Sequence, residues 1–260
     1  AEFAPIVLVH GVGMSMAFWA AQVAFFEKTR RVIVYDTLGH GRSSLLTEDR
    51  GLVEFSDQLL ALVDHLGLGA IDLVGHSMGG LVALEFSLTH PDKVRRVVAM
   101  NAVFRRSEAQ SEAVIGRARS LFTTGTMAGI QPTLDRWFGN PPPPAHRPTA
   151  EIVRHALETA DPVGYPRAYM IFATSDRRHD GRLSELAMPA LFLTGEFDLN
   201  STPDMSSLMA AQAPQGEAVT LPGQRHMMPL VAPDEVNAEL DRFFRRIDAD
   251  RAQADKASAP

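Results

Sequence analysis

Gly75-His76-Ser77-Met78-Gly79 stands between an apolar run, Ile71-Asp72-Leu73-Val74, and a helix-like stretch from Gly80 to His90. A serine between two glycines at this spacing, where a strand passes into a helix, sits on a sharp turn that lifts its hydroxyl above the sheet edge. Gly75 and Gly79 let the two backbones approach where side chains would clash. The chemistry open to such a serine is nucleophilic attack. Serine is a weak nucleophile at neutral pH, so a histidine must accept its proton and a carboxylate must hold that histidine in the right tautomer. An inert glycine-rich turn would carry the same five letters, so the partners must be sought elsewhere in the chain.

Other apolar runs also end in polar chemistry. Ile6-Val7-Leu8-Val9 leads into His10-Gly11-Val12-Gly13, and Arg31-Val32-Ile33-Val34-Tyr35 into Asp36-Thr37-Leu38-Gly39-His40-Gly41-Arg42-Ser43. Ala190 to Thr194 leads to Gly195-Glu196-Phe197-Asp198, and Ala218 to Leu221 to Pro222-Gly223-Gln224-Arg225-His226. Open parallel sheets gather their sites at the carboxyl ends of strands. Asp198 and His226 are therefore the candidate partners of Ser77, with Glu196 and Asp204 as alternative carboxylates nearby.

The elements that would position these groups follow from periodicity. Ala17 to Lys28, Leu52 to Leu66 and Met78 to His90 carry apolar residues at helical spacing between the early strands. That alternation predicts an α/β fold, a mostly parallel sheet with helices on both faces. It breaks from about Phe104 to Glu185, where Ser107 to Phe122, Met127 to Phe138, Ala150 to Thr159 and Gly164 to Thr174 read as short helices. This stretch is expected to be a helical cap, residues 104–186, inserted into a core of residues 1–103 and 187–248. Pro203 to Ala213 and Pro233 to Ile247 are the last helices, each with proline in its first turn. Residues 249–260 are expected to be a disordered tail.

Composition narrows the function classes. A chain of 260 residues, 45% hydrophobic, is long enough for one α/β domain with an insertion. A net charge of −6 leaves no basic footprint for nucleic acid. With no cysteine there is no thiol nucleophile, disulfide or cysteine-based metal site. No apolar run reaches membrane-spanning length and no signal-peptide pattern opens the chain, so a cytoplasmic protein without membrane contact is expected. No histidine and carboxylate pattern has metal-ligand spacing, and the glycine clusters do not fit a dinucleotide loop, so neither metal nor cofactor is expected.

The sequence resembles the α/β-hydrolase superfamily over nearly its whole length. The resemblance rests on the His-Gly loop, the serine pentapeptide and the order Ser77, Asp198, His226. It implies that Ser77 is the nucleophile, His226 the base and Asp198 the group that orients it, since Asp198 fits the family's G-x-x-D pattern. It also maps the oxyanion donors to the backbone N–H groups of Val12 and Met78. His10, His40 and His76 read as loop organisers. Within the superfamily the chain looks most like 3-oxoadipate enol-lactonases and related esterases. That likeness rests on Phe18-Trp19 after the His-Gly loop, on Asp135-Arg136-Trp137-Phe138, and on Thr159 to Tyr165 leading through Ala173 and Asp176 to Leu183 and Pro189.

The implied activity is cleavage of a small carboxylic ester or lactone by water through an acyl-enzyme. Trp137, Met14 and Met227 are candidate pocket residues, and Arg136 and Arg106 candidate partners for a substrate carboxylate. The methionines at 14, 78, 127, 227 and 228 suggest a soft apolar pocket. Alternatives on the same fold are a carbon–carbon bond hydrolase of ring-fission products, a cofactor-free haloperoxidase or perhydrolase, and a small-molecule receptor. An aspartate at position 77 would have marked epoxide hydrolases or haloalkane dehalogenases. Members usually place a strand pair ahead of the His-Gly strand, whereas here that strand begins at Ile6. Without the pair, Val32 to Tyr35 becomes an apolar edge. Such an edge invites a partner, a homo-oligomer being one expectation, or marks the chain as a fragment.

Overall fold

The computed structural model describes residues 3–47, 51–125 and 127–257. Six strands form one sheet: β1 (Ile6–Val9), β2 (Val32–Val34), β3 (Ile71–His76), β4 (Val94–Met100), β5 (Ala190–Gly195) and β6 (Gly216–Leu221). Their order is β2-β1-β3-β4-β5-β6, and every pairing is parallel. All residues of β1, β3 and β5 are buried, which is why these strands are continuous apolar runs rather than alternating ones. β2 stands at one edge, as expected from a first strand at Ile6. The chain builds outward from β1 first toward β2 and then, from β3, toward β6. That reversal lies between β1 and β3, where ligand sites of such sheets form.

Three helices, α1 (Ala20–Phe26), α2 (Gly51–His65) and α3 (Met78–Thr89), alternate with the first strands. Four more lie between β4 and β5: α4 (Glu108–Thr124), α5 (Met127–Phe138), α6 (Arg147–Glu158) and α7 (Gly164–Thr174). They match the helices expected there, and α4 opens with a capping box in which Ser107 and Gln110 satisfy each other's N–H. The core then closes with α8 (Pro203–Gln212), α9 (Met228–Val231) and α10 (Pro233–Ala257).

The last helix outruns the expectation. Its backbone stays helical to Ala257 through much of the stretch read as a tail, because alanine, arginine, glutamine and lysine favour the helix. Residues 258–260 lie outside the described residues. Among the described residues no helix is long and apolar enough to cross a membrane.

Two buried carboxylates hold the frame. Asp72, the charged residue in the apolar run of β3, is fully buried and gripped by Arg30 at 2.7 Å and by Arg96 through two bonds of 2.7 and 2.6 Å. Glu85 of α3 receives Arg178 at 2.8 Å, His179 at 3.0 Å and Arg182 at 3.4 Å. These three come from the segment that returns from α7 to β5, so Glu85 ties that return to the core. Burial pushes the Glu85 carboxyl up, but the His179 and Arg178 hydrogen bonds outweigh it and hold it at about 2. A carboxylate held low stabilises the fold above its ordinary range and loses that contribution as pH falls toward the folded value. Glu85→Gln is therefore expected to cost roughly 2–3 kcal/mol at pH 7 and almost nothing near pH 2. Urea unfolding of both proteins across pH 2–7 checks this; parallel stability curves would refute it.

Candidate active site

Ser77 sits at φ 55° between β3 and α3, a left-handed backbone rare for a residue with a side chain. The turn is forced by close packing. A Cβ on Gly75 would lie 1.9 Å from the Gly79 carbonyl oxygen, and one on Gly79 would lie 2.2 Å from the Val9 carbonyl oxygen. Both neighbours are backbone and cannot swing away. Gly75→Ala is expected to cost more than about 3 kcal/mol and lower the melting temperature by roughly 10 °C. Circular dichroism melting measures it, and a change under about 2 °C would show that the turn can relax.

The loop after β5 and the loop after β6 bring Asp198 and His226 together. The Nδ1–H of His226 donates to Asp198 Oδ2 at 2.8 Å. Asp198 Oδ2 also accepts the Asn101 side-chain amide at 2.8 Å, and Oδ1 accepts the N–H groups of Asn200 (2.8 Å) and Ser201 (3.2 Å). Burial works to raise the Asp198 carboxyl, but His226, Asn101 and Asn200 prevail and hold it below the usual carboxylate range. The other two carboxylates take different places: Glu196 accepts the Gly223 N–H at 2.8 Å, and Asp204 lies in the first turn of α8.

With Nδ1 engaged by Asp198, Nε2 is the ring atom left to meet a serine proton. His226 and Ser77 both line one cavity of about 180 Å³, and Val12 lines it with them. Met78 is the first residue of α3, so its N–H has no partner inside the helix. Among the described residues neither the Val12 nor the Met78 N–H donates to a protein acceptor. The opposite wall comes from the helices between β4 and β5: Val114 and Arg117 of α4, Arg136 and Trp137 of α5, and Tyr169 and Phe172 of α7. Trp137 stacks on the His226 ring, centroids 5.5 Å apart and planes 27° apart.

Three other histidines, His10, His40 and His76, organise loops near the site. Gly13 N–H donates to His40 Nε2 at 2.9 Å, and Thr37 N–H to His10 Nε2 at 3.0 Å. His76 meets the carbonyl of His226 through Nε2 at 2.8 Å. Burial and the nearby His226 push His76 down to about 3, so it stays neutral beside the site. Asp36 accepts the N–H groups of Met16 and Arg42 and braces the same loops. Among the described residues no group of three or more histidines and carboxylates is placed to hold a metal.

Of the pocket residues expected from sequence, Trp137, Arg136 and Arg106 line the cavity and the two methionines do not. Met14 lies outside this cavity, on a separate cleft with Gly39, His40 and Asp161. Met227 is 1% exposed and packed into the core. Met78 and Met228 are likewise core residues, while Met127 is 64% exposed; none of the methionines lines the cavity. Sequence reasoning also missed three residues. Asn101, which holds Asp198, follows the apolar end of β4, so the strand-end rule that found Asp198 could have found it. Arg117 shares a helical face with Gln110 and Val114, a spacing visible in the sequence. Tyr169 carried no signal.

Comparison with known proteins agrees with this fold. The family model of the alpha/beta hydrolase fold matches residues 4–128. The (E)-2-((N-methylformamido)methylene)succinate hydrolase of Acinetobacter baylyi is 41% identical over 243 residues, covering 94% of this chain and 91% of that one. The solved enol-lactonase of Burkholderia xenovorans superposes with a TM-score of 0.86 at 26% identity, over 94% of this chain and 92% of its own. A thermophilic esterase of Thermogutta terrifontis, solved with malate bound, gives 0.84 at 28% identity, over 95% and 91%.

Proposed function

This chain belongs to the alpha/beta-hydrolase fold family, and on that premise we propose that it is a serine hydrolase opening a small carboxylic ester or lactone through an acyl-enzyme. The observation that carries the reading is the His226–Asp198 hydrogen bond of 2.8 Å, beside a cavity that Ser77 and His226 share. Ser77 Oγ attacks the carbonyl carbon as its proton passes to His226 Nε2. The negative charge that develops on the carbonyl oxygen is met by the N–H groups of Val12 and Met78, fixed in place before the reaction. Collapse expels the alkoxide, which takes the proton from His226. Water then adds to the acyl carbon, giving its proton to His226, and the acid leaves as Ser77 recovers its hydrogen.

Asn101 enters as a positioning residue, since it fixes the carboxylate that orients the base. A second reading extends the same steps to an amide bond. It is favoured by the 41% identical relative, whose name describes a formamido compound. Labelling with a fluorophosphonate tests the common core. An adduct on Ser77, found by peptide mass spectrometry, is expected. Its absence in folded protein would reject a serine mechanism. Turnover of phenyl acetate, γ-butyrolactone and an N-formyl enamide then ranks the bond classes.

A further inference from the structure

Three guanidinium groups line the cavity, from Arg106, Arg117 and Arg136, and their surroundings differ. Arg106 is compensated. Its Nη1 lies 3.5 Å from Asp176 Oδ1 and donates to the Ala173 carbonyl at 3.2 Å, while its backbone N–H donates to Asp176 Oδ2 at 2.8 Å. It belongs to the frame more than to the pocket.

The other two have no carboxylate partner among the described residues. Arg117 Nε donates to the Tyr169 hydroxyl at 3.4 Å, and Arg136 Nη2 to Thr133 Oγ1 at 2.9 Å. The Nε of Arg136 is buried with no acceptor at all. Asp135, next to Arg136 in sequence, is engaged by Gln131 at 2.7 Å and Asn140 at 3.2 Å and makes no ion pair with it. Burial and the neighbouring Arg117 both push the Arg136 guanidinium down from its ordinary value. Two cations lining one small cavity, one of them with a buried donor that has no acceptor, are a costly arrangement unless an anion completes it.

The charge count sets the kind of anion. One carboxylate would leave one guanidinium uncompensated; two would balance both. We propose that Arg117 and Arg136 form a clamp for a substrate carrying two free carboxylates, a short dicarboxylate bearing the scissile bond. Guanidinium groups suit this role because their fixed fork matches a carboxylate in two parallel bonds. The clamp deepens the hydrolase reading and rests on it only for placing the scissile carbonyl at Ser77.

Calorimetric titration of succinate and of monomethyl succinate into the protein at pH 7 tests the clamp apart from turnover. Succinate is expected to bind about tenfold or more tighter than the monoester, an advantage that weakens in high salt. Arg117→Gln and Arg136→Gln should each remove most of that advantage, and Arg117→Lys and Arg136→Lys should restore part of it. Equal binding of diacid and monoester by the unaltered protein would overturn the clamp. So would glutamine variants that melt normally and keep the advantage, or no measurable succinate binding at about 20 mM. If the glutamine variants do not fold, the diacid–monoester comparison and the lysine variants decide. Fluorophosphonate labelling of Ser77 in the same samples separates the two readings: an adduct without diacid preference rejects only the clamp, and diacid preference without an adduct rejects only the serine mechanism.

Discussion

Ser77→Ala is expected to lower kcat on phenyl acetate by about 10⁴-fold or more, with the melting temperature within a few degrees of the parent protein. The two halves of this expectation come from different atoms. The hydroxyl is the nucleophile in the proposed reaction, and among the described residues the alanine variant would leave no other serine or threonine in the cavity to replace it. The fold depends instead on the backbone of residue 77. Its N–H donates to the Met100 carbonyl at 2.8 Å, and its carbonyl accepts the Gly80 N–H at 3.0 Å. Alanine keeps both bonds and tolerates the left-handed backbone about as poorly as serine. Steady-state assays and scanning calorimetry measure the two quantities. Activity within tenfold of the parent would remove Ser77 from the mechanism.

Asp198→Asn is the second large effect, a fall in kcat of roughly 10⁴-fold. Asp198 accepts four hydrogen bonds, from His226, Asn101, Asn200 and Ser201. An asparagine offers one oxygen and one NH₂ group. If the oxygen stays with Asn200 and Ser201, the NH₂ points at His226 Nδ1 and forces the proton to Nε2, where the serine proton must go. The pH dependence follows from the same contacts. Asp198 is held below the usual carboxylate range, so it stays ionised through neutral pH, and its stabilising contribution is lost only as pH falls through that lowered value. The asparagine variant should therefore be slow at every pH from 5 to 9 and should lack the part of the parent's loss of stability in strong acid that comes from Asp198. A variant with near-parent rates would mean that another carboxylate orients His226.

The two sets of site residues differ in how they could be read. Ser77, Asp198 and His226 were legible because each follows a strand, and strands announce themselves through short apolar runs with glycine or proline after them. Parallel pairing then puts every strand's carboxyl end on one side, so three residues separated by up to 149 positions need no long-range information to be assigned to one rim. The pocket residues had no such rule. Met14 and Met227 stand beside site residues in sequence, yet both turn away from the cavity. Arg106 and Arg136 were equivalent in sequence as candidate partners for a carboxylate, and only Asp176, seventy residues from Arg106, compensates the one, while the other has no carboxylate partner among the described residues.

By itself, then, the sequence determined the alternation of strands and helices, the run of helices between β4 and β5, and the three strand-end side chains, because these depend on local periodicity and on backbone sterics. The tertiary structure decided which helical faces meet over Ser77, that Trp137 lies on the His226 ring, that Asn101 holds Asp198, and that two arginines share a cavity without a counter-charge. Helix packing is fixed by the fit of side chains far apart in the chain, and whether a charge is compensated depends on what that packing brings within a few ångströms of it.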